Sequence, residues 1–194
     1  SSGTTALLTA LGALNVGPGD EVILPPYTFV ATFNAITANF ALPIFADSDA
    51  ASFQIDPVKV SAAITPATKL LLPVHIAGSP ADLDALSTLA KTRRITLLED
   101  ACQAPLAEWR GRPVGTVGLG GCFSFQASKN LTSGEGGAIL RREGEADDIG
   151  IALVGRGAAP EIDRRGRHAR LRVEGRDPGG VLGSDGQGHH LPGQ

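Results

Sequence analysis

Apolar residues recur along the first two thirds of the chain in short closed runs: Glu21–Leu24, Leu42–Phe45, Lys69–His75, Ile95–Glu99, Gly121–Phe125 and Ala138–Leu140. Their brevity and their flanking polar residues predict strands. Between them lie stretches of helical period such as Ala81–Lys91, and the apolar set Ala6, Leu7, Leu8, Leu11 and Leu14 predicts a helix that follows Ser2-Gly3-Thr4-Thr5. Ser79, Pro80 and Asp82 predict another helix start: a hydroxyl cap, a proline whose missing N–H costs nothing in the first turn, and a carboxylate at the positive end. Runs such as Leu70–Val74 and Ile95–Leu98 do not alternate, which is the pattern of strands buried on both faces. The alternation predicts an α/β fold, a mostly parallel sheet flanked by helices, with its ligand at the carboxyl ends of the strands.

With 194 residues, 42% of them hydrophobic, the chain is long enough for one sizeable core. Its longest apolar runs fall far short of the ~20 residues that span a bilayer, so no membrane partner is expected. A net charge of −3 and only four lysines give no electrostatic footprint for a nucleic acid. Cys102 and Cys122 have no metal-ligand spacing and are too few for a disulfide scaffold, which predicts a reducing cytoplasm. No Met occurs, and Ser1-Ser2-Gly3 runs straight into the apolar pattern, so the start is expected to be internal to a longer protein.

From Ile151 the character changes. Residues 151–194 hold 10 of the 25 glycines and 7 arginines but no lysine, asparagine, threonine or aromatic residue. Such a segment buries too little apolar surface to order itself. The chain therefore divides into a folded part, 1–150, and an Arg/Gly/Pro-rich tail, 151–194. The tail has the composition of an out-of-frame reading of GC-rich coding DNA, so a frameshift near residues 143–155 is expected, with a genuine divergent tail as the alternative.

The predicted strand ends carry the polar chemistry. Glu99, Asp100 and Gln103 follow one run; Gln126, Ser128, Lys129 and the cluster Gly134-Glu135-Gly136-Gly137 follow another. Ser2-Gly3-Thr4-Thr5 offers free N–H groups, hydroxyls and a positive dipole end, a receptor for a dianionic phosphate that any Ser/Thr-rich cap also resembles. His75 reads as a satisfied structural histidine, Trp109 as packing, and Cys102 as a small apolar filler rather than a nucleophile. His189-His190 supplies two possible ligands without a third, so no metal is expected.

Ser2-Gly3-Thr4, Pro26-Tyr27-Thr28-Phe29-Val30-Ala31-Thr32, Glu99-Asp100-Ala101-Cys102-Gln103-Ala104 and Phe123-Ser124-Phe125-Gln126-Ala127-Ser128-Lys129-Asn130 with Gly134–Gly137 occur in one order. Together they resemble the DegT/DnrJ/EryC1/StrS aminotransferases over roughly residues 1–142. The resemblance implies an incomplete fold-type I large domain, like that of aspartate aminotransferase, with pyridoxal 5′-phosphate as cofactor. Lys129 then matches the lysine that carries the aldehyde and Asp100 the carboxylate at the pyridine nitrogen. Thr4, Thr5 and Ser124 match the phosphate-binding positions, Phe29 the aromatic stacked on the ring, and Gln103 the amide beside its phenolic oxygen.

The activity so implied is transfer of an amino group from glutamate or glutamine to a keto sugar, nucleotide-linked, or a keto cyclitol, in a cytoplasmic homodimer. Sugar dehydratases of the same family carry histidine in place of the cofactor lysine, and Lys129 argues against that chemistry. A silent protein of this fold serving as a binding module is the alternative, against which stands the intact set Asp100, Gln103, Ser124 and Lys129. A nucleotide phosphate loop at Gly134–Gly137 fails because the cluster leads into a predicted strand, not a helix. Since the family continues into a further C-terminal domain, the 194-residue chain alone is expected to be inactive.

Overall fold

The structure, a computed structural model, describes residues 2–143 and 148–154. Helix α1 spans Gly3–Ala13, and Ser2 and Thr5 close a capping box at its start. Then follow β1 (Glu21–Leu24), α2 (Val30–Ala38), β2 (Leu42–Phe45), α3 (Pro57–Ala63), β3 (Thr68–Leu71), α4 (Leu83–Arg93) and β4 (Thr96–Asp100). A small hairpin, β5 (Glu108–Trp109) and β6 (Arg112–Pro113), precedes β7 (Gly120–Ser124), β8 (Gly137–Glu143) and β9 (Asp148–Val154).

Seven strands form one sheet in the order β2-β1-β3-β4-β7-β8-β9. The first five run parallel and β8 and β9 are antiparallel to their neighbours. The expected α/β architecture with a mostly parallel sheet is therefore present. Successive strand residues serve opposite faces, and each face has its own core. Val22, Leu24, Leu70, Leu72 and Leu98 pack with Leu7, Leu11 and Ile36 of α1 and α2. Ile23, Leu71 and Leu97 pack on the other side with Val60 of α3 and Leu86 of α4. This explains the unbroken apolar runs of β1, β3 and β4, which are covered on both faces.

Two expectations about boundaries are corrected by tertiary contacts. The run expected as a strand to His75 leaves the regular ladder after Leu71, because Pro73 has no N–H to donate. It stays extended beside β4 all the same: Pro73 O accepts from Asp100 N at 2.9 Å and His75 N donates to Asp100 O at 3.0 Å. Helix α4 begins at Leu83 and not behind Ser79; its cap is Asp82, whose carboxylate accepts from Ala85 N at 3.0 Å. The Ala81 N–H is held by His75 Nδ1 at 3.1 Å, which keeps residues 79–81 out of the helix. At the far end, β9 runs four residues past the boundary expected at 150, and residues 155–194 of the expected tail lie outside the described residues.

His75 and Glu99 are both fully buried. With Nδ1 occupied by a donor, the neutral ring carries its proton on Nε2 and gives it to Glu99 Oε2 at 3.0 Å. Glu99 Oε2 also accepts from Gly115 N at 2.6 Å, and Oε1 accepts from Val117 N and Gly118 N, each at 2.8 Å. One carboxylate thus ties the end of β4 to the chain beyond β3 and to the loop that enters β7. Glu99→Ala strands three buried donors and one half-buried one, each at roughly 1 kcal/mol or more, so it is expected to destabilise the chain by about 3–4 kcal/mol. Urea denaturation followed by far-ultraviolet circular dichroism measures this, and a loss below about 1 kcal/mol would show that water replaces the carboxylate freely.

Candidate active site

The carboxyl ends of the parallel strands bring the sequence-predicted residues to one edge of the sheet. Asp100 closes β4 and is 3% exposed. Its Oδ1 accepts from Cys102 N at 3.1 Å and its Oδ2 from the Thr32 hydroxyl at 2.7 Å. The Cys102 thiol is pushed well above its usual range, first by burial and then by the Asp100 charge, and burial does the same to Cys122. Both shifts disfavour the thiolate, the form that acts as a nucleophile.

Ser124, at the end of β7, lies under the first turn of α1. A Cβ on Gly3 would stand 2.6 Å from Ser124 Cβ and 2.8 Å from Cys102 Sγ, so only glycine lets the helix start approach the strand end this closely. Gly137 does the same from β8, where a Cβ would meet Ser2 O at 2.2 Å. In the capping box Thr5 N donates to Ser2 Oγ at 3.2 Å and Ser2 N to Thr5 Oγ1 at 2.9 Å, while the Thr5 hydroxyl donates to Ser2 O at 2.8 Å. The Thr5 side chain therefore shapes the turn. The N–H groups of Gly3 and Thr4 precede the first intrahelical bond, Ala6 N to Ser2 O, and with the exposed Thr4 side chain they border an electropositive helix start.

The chain between β7 and β8 carries Lys129. Gln126 O accepts from Lys129 N at 2.8 Å, and Phe125 O accepts from Ser133 N at 2.9 Å, closing the loop at its base. Gly134 takes a positive φ of 82°, and the cluster then enters β8, as its sequence context indicates. Lys129 Nζ lies 5.8 Å from the centroid of the Phe29 ring, which is 60% exposed and so is not a core residue. Phe29 caps α2, whose Thr32 holds Asp100 Oδ2, so this short segment brings Lys129 and the carboxylate to one edge. Gln103 Oε1 accepts from Ala77 N at 3.0 Å, where Ala77 has a φ of 54°. This fixes the amide's orientation and leaves its NH2 group to donate elsewhere.

Two contributors carry no role in the sequence reading. Glu99 was legible only as a motif letter beside Asp100. Thr32 had a signal: it shares the buried face of α2 with Ala35 and Ile36, and a buried hydroxyl there demands a partner.

A helix start fit for a phosphate, a buried carboxylate, an exposed aromatic face and an amine suit a ring that has an anionic arm, a basic nitrogen and an aldehyde. The model of the DegT/DnrJ/EryC1/StrS aminotransferase family matches residues 1–178. The chain belongs to that family. The match continues past residue 142, where the expected likeness ended, and so covers part of the Arg/Gly/Pro-rich segment.

Among relatives, 3-amino-5-hydroxybenzoate synthase of Amycolatopsis mediterranei is 41% identical over 87% of this chain and 44% of its own length. L-glutamine:2-deoxy-scyllo-inosose aminotransferase of Streptomyces kanamyceticus is 46% identical over 91% of this chain and 37% of its own. The chain thus spans less than half the length of these relatives. A solved structure of Spr1654 from Streptococcus pneumoniae in its PLP form superposes with a TM-score of 0.71 at 34% identity, covering 74% of this chain and 41% of that one.

Within this family member the Gly3 contact is testable by itself. Gly3→Ala forces the α1 start off Ser124 and is expected to destabilise by about 1–3 kcal/mol, as overpacking does. Gly12→Ala, whose Cβ would meet only Asn39 Oδ1 at 3.4 Å, is expected to be neutral or stabilising by up to ~1 kcal/mol through helix propensity. Thermal melts of the two variants side by side make the comparison, and equal effects would refute the close-approach argument.

Proposed function

We propose that this chain carries the cofactor-binding part of a pyridoxal phosphate-dependent aminotransferase that moves an amino group from glutamate or glutamine to a keto sugar or keto cyclitol. The observation that carries the reading is the buried Asp100, held on both oxygens at a strand end, with Lys129 and the exposed Phe29 ring at the same edge. The sugar and cyclitol substrates rest on the family and on relatives such as the scyllo-inosose aminotransferase. When bound, the cofactor supplies an electron sink for the charge left as a proton departs the substrate carbon.

The residues divide the remaining work. The first turn of α1, with Thr4 and Ser124, takes the phosphate, and Thr5 contributes by building that turn. Phe29 covers one face of the ring and excludes water from it. Asp100 would pair with the ring nitrogen and hold a proton there by its charge. The Gln103 NH2 group would donate to the phenolic oxygen. Lys129 would hold the cofactor at its aldehyde carbon, and its amine, once free, would serve as the base that carries a proton at the substrate carbon. The complete protein acts as a homodimer, and the free Cys102 and Cys122 suit a reducing cytoplasm.

Borohydride trapping tests the reading without requiring turnover. After incubation with pyridoxal phosphate and reduction, mass spectrometry is expected to find one phosphopyridoxyl group, on Lys129. Lys129→Ala is expected to lose the adduct while keeping its circular dichroism spectrum. A label spread over Lys59, Lys69 and Lys91, or one that persists in Lys129→Ala, would sink the assignment.

A further inference from the structure

The Asp100 carboxylate is gripped from a second element by a hydroxyl to which the sequence motifs assign no task. Thr32 lies on the inner face of α2, 1% exposed, and donates to Asp100 Oδ2 at 2.7 Å across 68 positions of sequence. Thr28 Oγ1 lies 2.8 Å from Thr32 Oγ1. A threonine hydroxyl owns a single proton. Since Thr32 gives its proton to the carboxylate, its oxygen accepts from Thr28, and the chain of donors runs one way, from Thr28 through Thr32 to Asp100. Hydrogen bonds in such a chain polarise one another.

The other carboxylate oxygen is held by the Cys102 N–H. With one donor on each oxygen, from α2 and from the turn after β4, rotation about the Asp100 Cβ–Cγ bond is arrested. Each oxygen keeps a further lone pair, and these now point in fixed directions. Thr28 and Thr32 also bracket Phe29 in sequence, so one short segment carries both the ring's aromatic cover and the grip on the carboxylate.

We propose that Thr32, backed by Thr28, is a positioning residue of the transamination site, fixing the plane of the Asp100 carboxylate so that it faces the cofactor's ring nitrogen. The inference rests on the cofactor reading given above. A merely structural role, pinning α2 to β4, would affect stability and leave the ring nitrogen unchanged.

The test loads the chain with pyridoxal phosphate labelled with nitrogen-15 in the ring and records the nitrogen chemical shift, which separates protonated from unprotonated rings. Thr32→Val removes the hydroxyl at constant shape, Thr32→Ser restores it, and Asp100→Asn sets the full effect of losing the carboxylate. The expected result is a protonated signal in the unaltered chain and in Thr32→Ser. Thr32→Val is expected to move part of the way toward the Asp100→Asn position, and Thr28→Val to move less in the same direction. Thr28→Val alone serves should Thr32→Val not fold.

Without cofactor, urea denaturation of Thr32→Val, Asp100→Asn and the double variant is expected to show losses that overlap rather than add. A nitrogen signal unmoved in both threonine variants but displaced in Asp100→Asn overturns the positioning role alone. A signal unmoved even in Asp100→Asn overturns the cofactor reading and the proposal with it. Strictly additive losses would show that Thr32 and Asp100 do not act as a pair.

Discussion

Burial of the Glu99 carboxylate is the constraint on which the arrangement of the site depends. A charge removed from water is tolerable only when its lone pairs are filled, and here four donors from two other segments fill them. Those segments are the chain beyond β3 and the approach to β7, and Glu99 fixes both to the end of β4 that presents Asp100. Neighbouring residues on a strand face opposite ways. With Glu99 fixed on one side of the sheet, Asp100 is committed to the other.

Glycine extends the same logic from charge to space. Gly3 and Gly137 let the α1 start, β7 and β8 meet closer than any side chain permits, and Gly121 packs in the same way against Gly115, where a Cβ would stand 2.4 Å from its Cα. The site is thus assembled from backbone contacts in which little can shift. Side chains that must move, such as Lys129, are placed on the loop outside this rigid set.

The centre of the sheet was legible because both of its faces are buried there, which turns β1, β3 and β4 into plain apolar runs. What remained illegible was decided by partners distant in sequence. Ser79 and Asp82 are both sound caps, and only the capture of the Ala81 N–H by His75 selects the second. Proline at 73 ends the ladder of β3 although the run of apolar residues continues. At the site, Lys129 and Asp100 could be placed through family order, and the geometry sets them at one edge. Thr5 was ambiguous between cap and phosphate contact, and its hydroxyl closes the cap. For Thr32 the helical pattern shows only that a buried hydroxyl needs a partner, and which partner stayed hidden because it lies 68 residues away.

The cup formed by Ser2–Thr4, Ser124 and Gly137 joins the two ends of the described chain, and this has a consequence for the order of folding. Contacts of such separation close late, after local helices and neighbouring strands have formed. The anion-binding turn is complete only when β7 and β8 have docked beneath α1. A phosphate-bearing ligand therefore recognises the finished sheet and not its partly folded precursors. A ligand that binds the native state alone draws the folding equilibrium toward completion, so a cofactor held at this turn would act on the domain as a late-stage folding clamp as well as a reagent.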